Sequence, residues 1–307
     1  MTMHYKKLCS QAIAWLLATT LILANQAQGQ QAAPAGGVFY AISGKGIKDT
    51  SYLFGTYHLL KDGYLNTLPT VKQRFAKATG LVVETIIDSA ALPAQYQKMV
   101  LATDSLSGLL DKPFYDSLNN ELTQTLGAGA SQLNRLKPAA ISTILAMVYA
   151  QKNSAAVLDK YTGSPLDVYF ANTAKQAGKN ITPLETMDQQ MGLLFVKPTI
   201  GHQVEALKMF LRNKNSLVAL GDSLMKAYVD NDLGKMYDIY GKTMEASHEE
   251  DYLIKDRNNE WMKTLPGLVQ KSKQFIAVGA LHLAGPYGLV AQFKNLGYTV
   301  TPIKLPK

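Results

Sequence analysis

The chain has 307 residues, with 31 Lys and Arg against 23 Asp and Glu, a formal charge of +8, five His and one Cys. The lysines are scattered and no nucleic-acid module signature appears, so the basic balance describes a solvated exterior. The one cysteine, Cys9, lies in an N-terminal leader-like segment. The rest therefore has no thiol nucleophile, thiolate-bound metal or disulfide framework, and it is long enough to bury a full core without one.

In chain order, residues 1–29 read as a secretory signal peptide. Lys6 and Lys7 form a basic start, Ala12 to Ala24 is apolar, and Ala27-Gln28-Gly29 offers small residues for cleavage. Without Lys6 and Lys7 the charge falls to +6. The protein is expected to be exported, to a periplasm or beyond, with no stable membrane insertion afterwards. Residues 30–37 are a flexible lead-in, and 38–307 form one α/β domain with helical insertions. Val38 to Ile42 and Ser51 to Gly55 predict a hairpin across the Gly44-Lys45-Gly46 turn, with His58 at its exit. A helix runs from Thr67-Leu68-Pro69 to about Thr79, and then comes a short strand, Leu81-Val82-Val83-Glu84, ending in a carboxylate. Helical patterns fill 91–102, 113–126 and 138–152. Ser164-Pro165-Leu166-Asp167 is a helix start in which Asp167 is explained by capping. Lys179 to Pro183 reads as a strand, and Leu184-Glu185-Thr186 opens another helix. From 200 to 265 the chain is again helical. Gln274 to Val278 is a strand before His282, Pro286 to Leu296 a helix, and Tyr298 to Ile303 a last strand. The fold class is α/β: a central mixed β-sheet with flanking helices and a large helical insertion, its sites at the carboxyl ends of strands.

No H-E-x-x-H, no G-x-S-x-G and no phosphate-binding glycine loop is present. What stands out is a strand leading into G-x-x-H, twice: Gly55-Thr56-Tyr57-His58 and Gly279-Ala280-Leu281-His282. If those strands and the one ending at Glu84 are neighbours, two imidazoles and a carboxylate converge. Such a set suits a catalytic divalent metal with open positions for water. Equally, each histidine could be a hydrogen-bonded residue closing its strand, and Glu84 a cap for the next helix. His202 and His248 read as surface residues. Arg257-Asn258, with Trp261 turned inward, could clamp a carboxylate or stabilise an oxyanion, or simply form a solvated helix face. Glu185 serves as a cap or a site carboxylate.

Taken in order, these segments resemble the TraB/GumN family, which includes the animal Tiki proteases. The resemblance rests on Gly55-Thr56-Tyr57-His58, Val82-Val83-Glu84, Leu136-Lys137-Pro138, Asp167 through Leu184-Glu185-Thr186 to Gln189 and Gln190, Arg257-Asn258 with Trp261, and Gly279 through Leu289. Tyr57 and Ala139 depart from the usual residues. The resemblance implies a metal-dependent peptidase using manganese or cobalt, with zinc or iron as alternatives. Its metal ligands would be His58, His282 and Glu84. Glu84 would alternatively act as general base, with Arg257, Asn258 and Glu185 completing the catalytic set and a peptide or protein as substrate. Two other outcomes stay open: a non-catalytic metal- or haem-binding protein, and a metal-independent His/Glu esterase-like hydrolase.

Overall fold

The computed structural model describes residues 36–244 and 251–306. The signal-peptide segment, most of the lead-in and His248 lie outside the described residues. Among the described residues no helix is long and apolar enough to cross a membrane.

Among the described residues six strands form one mixed sheet: β1 (Phe39–Ser43), β2 (Ser51–Thr56), β3 (Gly80–Val83), β4 (Asn180–Pro183), β5 (Gln274–Gly279) and β6 (Thr299–Pro302), in the order β4-β3-β5-β2-β1-β6. The four strands β4, β3, β5 and β2 run parallel to one another, while β1 is antiparallel to both β2 and β6. The central strands β2, β3 and β5 are buried along their whole length, as expected of parallel strands covered on both faces. The expected hairpin is present, its turn taken by Gly44, Lys45 and Gly46, all at positive φ. Phe54 and Phe275 on the sheet meet Phe75 of the helix Pro69–Lys77 and Phe170 of the helix Leu166–Gln176. Neighbouring ring centroids lie 4.9–6.2 Å apart. These large apolar rings fasten both helices to the sheet.

The chain divides into two compact units. One, residues 87–153 and 187–221 among those described, is built from helices, with a single isolated bridge between Val100 and Leu136. Asp111 caps Lys112–Leu126 by accepting from the Phe114 N–H, and Gly127 at φ 69° ends it. Leu118 and Leu122 of that helix join Ile141, Leu145, Met191 and Leu207 in this unit's core. His202 lies exposed on its helix Ile200–Arg212. The other unit carries the sheet.

Two helix starts differ from expectation. The helix after Glu185 begins at Met187, and the one after His282 begins at Leu289 rather than Pro286. In both places the backbone first serves the strand ends: Leu184 and Glu185 bond back to Val83 and Glu84, and Ala280–Leu283 makes a 3-10 turn. The glycines before the two histidines do not make a left-handed turn. Neither has a positive φ. At Gly55 a Cβ would lie 2.7 Å from Cα and 2.9 Å from Cβ of Ala280, so the residue is needed for close backbone approach. Gly55→Ala should therefore destabilise the fold by about 1–3 kcal/mol, read as a lower thermal midpoint with a normal far-UV spectrum. An unchanged midpoint would mean the two segments separate without cost.

Candidate functional site

Because β2, β5 and β3 are adjacent and parallel, their carboxyl ends share one edge of the sheet. The structure thus brings His58, Glu84 and His282 together, the condition on which the sequence reading depended. Glu185 joins them from the end of β4: its N–H bonds to the Glu84 carbonyl at 2.9 Å, which seats the two acidic residues side by side. Arg257 and Asn258 enter from the helix Asp256–Trp261, which is preceded by a π-turn over Asp251–Lys255.

Arg257 is 8 % exposed and lies at the centre. Its Nη2 donates to Glu84 Oε2 at 2.7 Å and to Glu185 Oε1 at 2.6 Å, and its Nε donates to Glu185 Oε2 at 3.1 Å. Nη1 donates to the Leu253 carbonyl at 3.2 Å and faces His282 Nε2 at 3.0 Å. A guanidinium has five N–H groups, and these five contacts account for all of them. The sequence suggests a clamp or an oxyanion donor at Arg257. It clamps the protein's own two carboxylates, and in this arrangement keeps no N–H for a substrate.

The hydrogen bonds fix the protonation of His282. Asn258 Nδ2 donates to the carbonyls of His282 (3.0 Å) and Tyr287 (2.8 Å), so its Oδ1 must be the atom 2.7 Å from His282 Nδ1. An amide oxygen only accepts, so Nδ1 carries the hydrogen and the Nε2 lone pair receives the Arg257 N–H. Burial, aided by the Arg257 charge, holds this imidazole neutral, with its pKa lowered to about 3. Trp261, 1 % exposed, lies with its ring centroid 4.3 Å from that of His282 and also contacts the Arg257 guanidinium at 4.8 Å.

His58 has the opposite character. Its Nδ1 lies 2.7 Å from Asp167 Oδ2, and Thr56 Oγ1 donates to Asp167 Oδ1 at 2.8 Å. Burial works against a charged ring, but the charge and hydrogen bond of Asp167, with Glu84 behind them, outweigh it and raise the His58 pKa above 6.5. Asp167 is delivered by the start of Leu166–Gln176, docked through Leu166 N–H to the Leu60 carbonyl at 3.1 Å. That helix has no side-chain cap bond at its start, so the capping reading of Asp167 is corrected: its carboxylate serves His58. Sequence reasoning gave neither Asp167 nor Thr56 a role in the site. The signal was available: both lie in the segments that carried the family resemblance.

Gly279 completes the arrangement. A Cβ there would sit 3.2 Å from Glu84 Oε1, 3.3 Å from His58 Nε2 and 3.7 Å from His282 Cδ2, so the bare Cα lets the three side chains close around it. Its N–H donates to Glu84 Oε1 at 2.7 Å. Burial pushes Glu84 upward, but the Arg257 charge above all, with the two neighbouring imidazoles and this backbone bond, prevails and lowers its pKa to about 2. Glu185, with burial dominant, is raised above the usual carboxylate range.

Whether a divalent metal fits can be judged on these donors. Among the described residues no group of three His, Cys, Asp or Glu side chains is placed to hold one. The reason is chemical: the single lone pair of neutral His282 points into Arg257, and Glu84 Oε2 is bound to the same guanidinium. The expected ligand set of His58, His282 and Glu84 does not fit a metal while Arg257 stands there.

A search of curated proteins matches no relative. The pattern of a protein family, TraB/PrgY/gumN, matches residues 38–302, from the first strand to the last. With the match spanning nearly the whole chain and every strand of the sheet, the protein belongs to the TraB/PrgY/gumN family.

Proposed function

We propose that this protein is a hydrolase of carbonyl substrates, peptide or ester, in which His58 activates the attacking water. The observation that carries this reading is the His58–Asp167 pair, whose Nε2 faces the bare Cα of Gly279 beside Glu84. Asp167 fixes the hydrogen on Nδ1, leaving the Nε2 lone pair to take a proton from water, as a general base requires. Glu84, ionised and tied to Arg257 and Gly279, supplies a fixed negative charge that favours the imidazolium formed as the proton moves. Asn258 and Trp261 hold His282 as a neutral wall of the site. Among the outcomes left open by the sequence, this is the metal-independent hydrolase.

The metallopeptidase reading keeps one support, the convergence of two G-x-x-H histidines and a carboxylate on one sheet edge. It requires Arg257 to leave its partners. We read the substrate as a peptide or protein on the family resemblance, and the location as exported on the basic and apolar pattern of residues 1–29.

The test is cleavage of mixed peptide and ester libraries before and after exhaustive chelation. We expect the cleavage rate to survive chelation and to vanish in His58→Ala. Loss on chelation with recovery on adding manganese or cobalt would overturn the metal-independent mechanism. No cleavage of any library member would overturn the hydrolase reading.

A further inference from the structure

The donor set around Arg257 carries an inference that does not depend on catalysis. We propose that the Arg257 guanidinium is the resident cation of this pocket, standing where a divalent metal would otherwise bind, and that its removal uncovers a metal site made by Glu84, Glu185 and His282. Three observations support this. First, the acceptors converge: Glu84 Oε2, both oxygens of Glu185 and His282 Nε2 all lie within 3.1 Å of a guanidinium nitrogen. Two carboxylates and a neutral imidazole are a common donor combination for zinc, manganese or cobalt. Second, His282 cannot serve a metal and Arg257 together. Its Nδ1 hydrogen is held by Asn258 and its ring lies against Trp261, so its one lone pair has a single direction, which is toward Arg257. Third, the charges do not balance around a monocation, because two carboxylates share one arginine nitrogen, at 2.7 Å and 2.6 Å. A divalent ion would satisfy both.

Size sets the direction of the exchange. The acceptors stand 2.6–3.1 Å from guanidinium nitrogens spread over a planar fork, whereas metal bonds to such donors are about 2.0–2.2 Å long. In the native chain the donors are spaced for the larger cation. Without it, they are free to draw in around a single ion, a movement available to two glutamates at strand ends. The native protein is therefore selective for its own arginine over divalent metals at this position.

The experiment is metal uptake by the full chain, native and Arg257→Met, dialysed against zinc chloride or manganese chloride and read by elemental analysis and thermal unfolding. The native protein should retain no stoichiometric metal and show an unshifted midpoint. Arg257→Met should retain about one ion per chain and gain thermal stability with added metal, both lost in the double variant Arg257→Met/His282→Gln. Stoichiometric uptake by the native protein that disappears in His282→Gln would overturn the proposal. So would a folded Arg257→Met that takes up no metal. If Arg257→Met unfolds without metal, recovery of a folded spectrum on adding zinc supports the proposal, and failure at saturating zinc overturns it. None of these readouts is an activity, so they stand or fall apart from the hydrolase reading.

Discussion

In the absence of added metal, Arg257→Met is expected to lose about 3–5 kcal/mol of stability near neutral pH, the typical cost of removing one partner from a buried ion pair. The substitution keeps much of the side chain's length and packing, so the loss isolates the charge and its hydrogen bonds. The group left behind is costly. Glu84, 8 % exposed, would face Glu185 without a cation between them. The loss should also depend on pH in a definite direction. In the folded native protein Glu84 titrates at about 2 against 4.5 for an ordinary glutamate. Its stabilising contribution is therefore fully present above pH 4.5 and disappears as the pH falls toward 2. In the variant that depression is largely gone, so the gap between the two proteins should be widest above about pH 5 and narrow on acidification. Urea unfolding of both proteins between about pH 3 and 7 measures it. A constant gap across that range would mean that packing, and not the carboxylates, gives Arg257 its importance.

The strand ends were readable because they obey simple rules. β2, β3 and β5 are short apolar runs whose ends are marked by glycine or by a carboxylate, and the structure pairs them in parallel with their ends on one side. That is why His58, Glu84 and His282 group together on sequence alone. Three other features were not readable, each for a physical reason. The partner of His58 lies more than a hundred residues away, and an aspartate in the first turn of a helix has an adequate local explanation as a cap. Only the docking of Leu166 against Leu60 shows that Asp167 faces the imidazole instead. The role of Arg257 depends on counting acceptors from four separate segments, and no local pattern supplies that count. The two G-x-x-H motifs look alike in sequence, yet their histidines end in opposite states. His58 meets a partly exposed carboxylate that favours its charge. His282 meets an amide and an arginine that forbid it.

That difference makes Asp167→Asn the most informative catalytic variant. If His58 is the base, kcat/KM should fall about 10²- to 10⁴-fold, with the fold retained. The argument is one of tautomers. Thr56 Oγ1 donates to one Asp167 oxygen, and His58 Nδ1 meets the other. An asparagine that keeps the Thr56 bond through its carbonyl turns its NH2 toward Nδ1. That nitrogen must then accept, the ring hydrogen moves to Nε2, and the lone pair that should take the water's proton is gone. A second readout separates this from mere loss of structure. Since Asp167 raises the His58 pKa, the rising limb of the native pH–rate profile should lie above pH 6.5, because only the neutral ring can act as base. In Asp167→Asn the residual activity should show its limb at lower pH. The stability linkage carries the same sign: the His58–Asp167 attraction is fully present below pH 6.5 and is lost as the pH rises through the raised folded value. Retention of both the native rate and the native limb in Asp167→Asn would show that His58 is not the base. The chemistry would then have to be sought at Glu84, the other titratable group closest to Gly279.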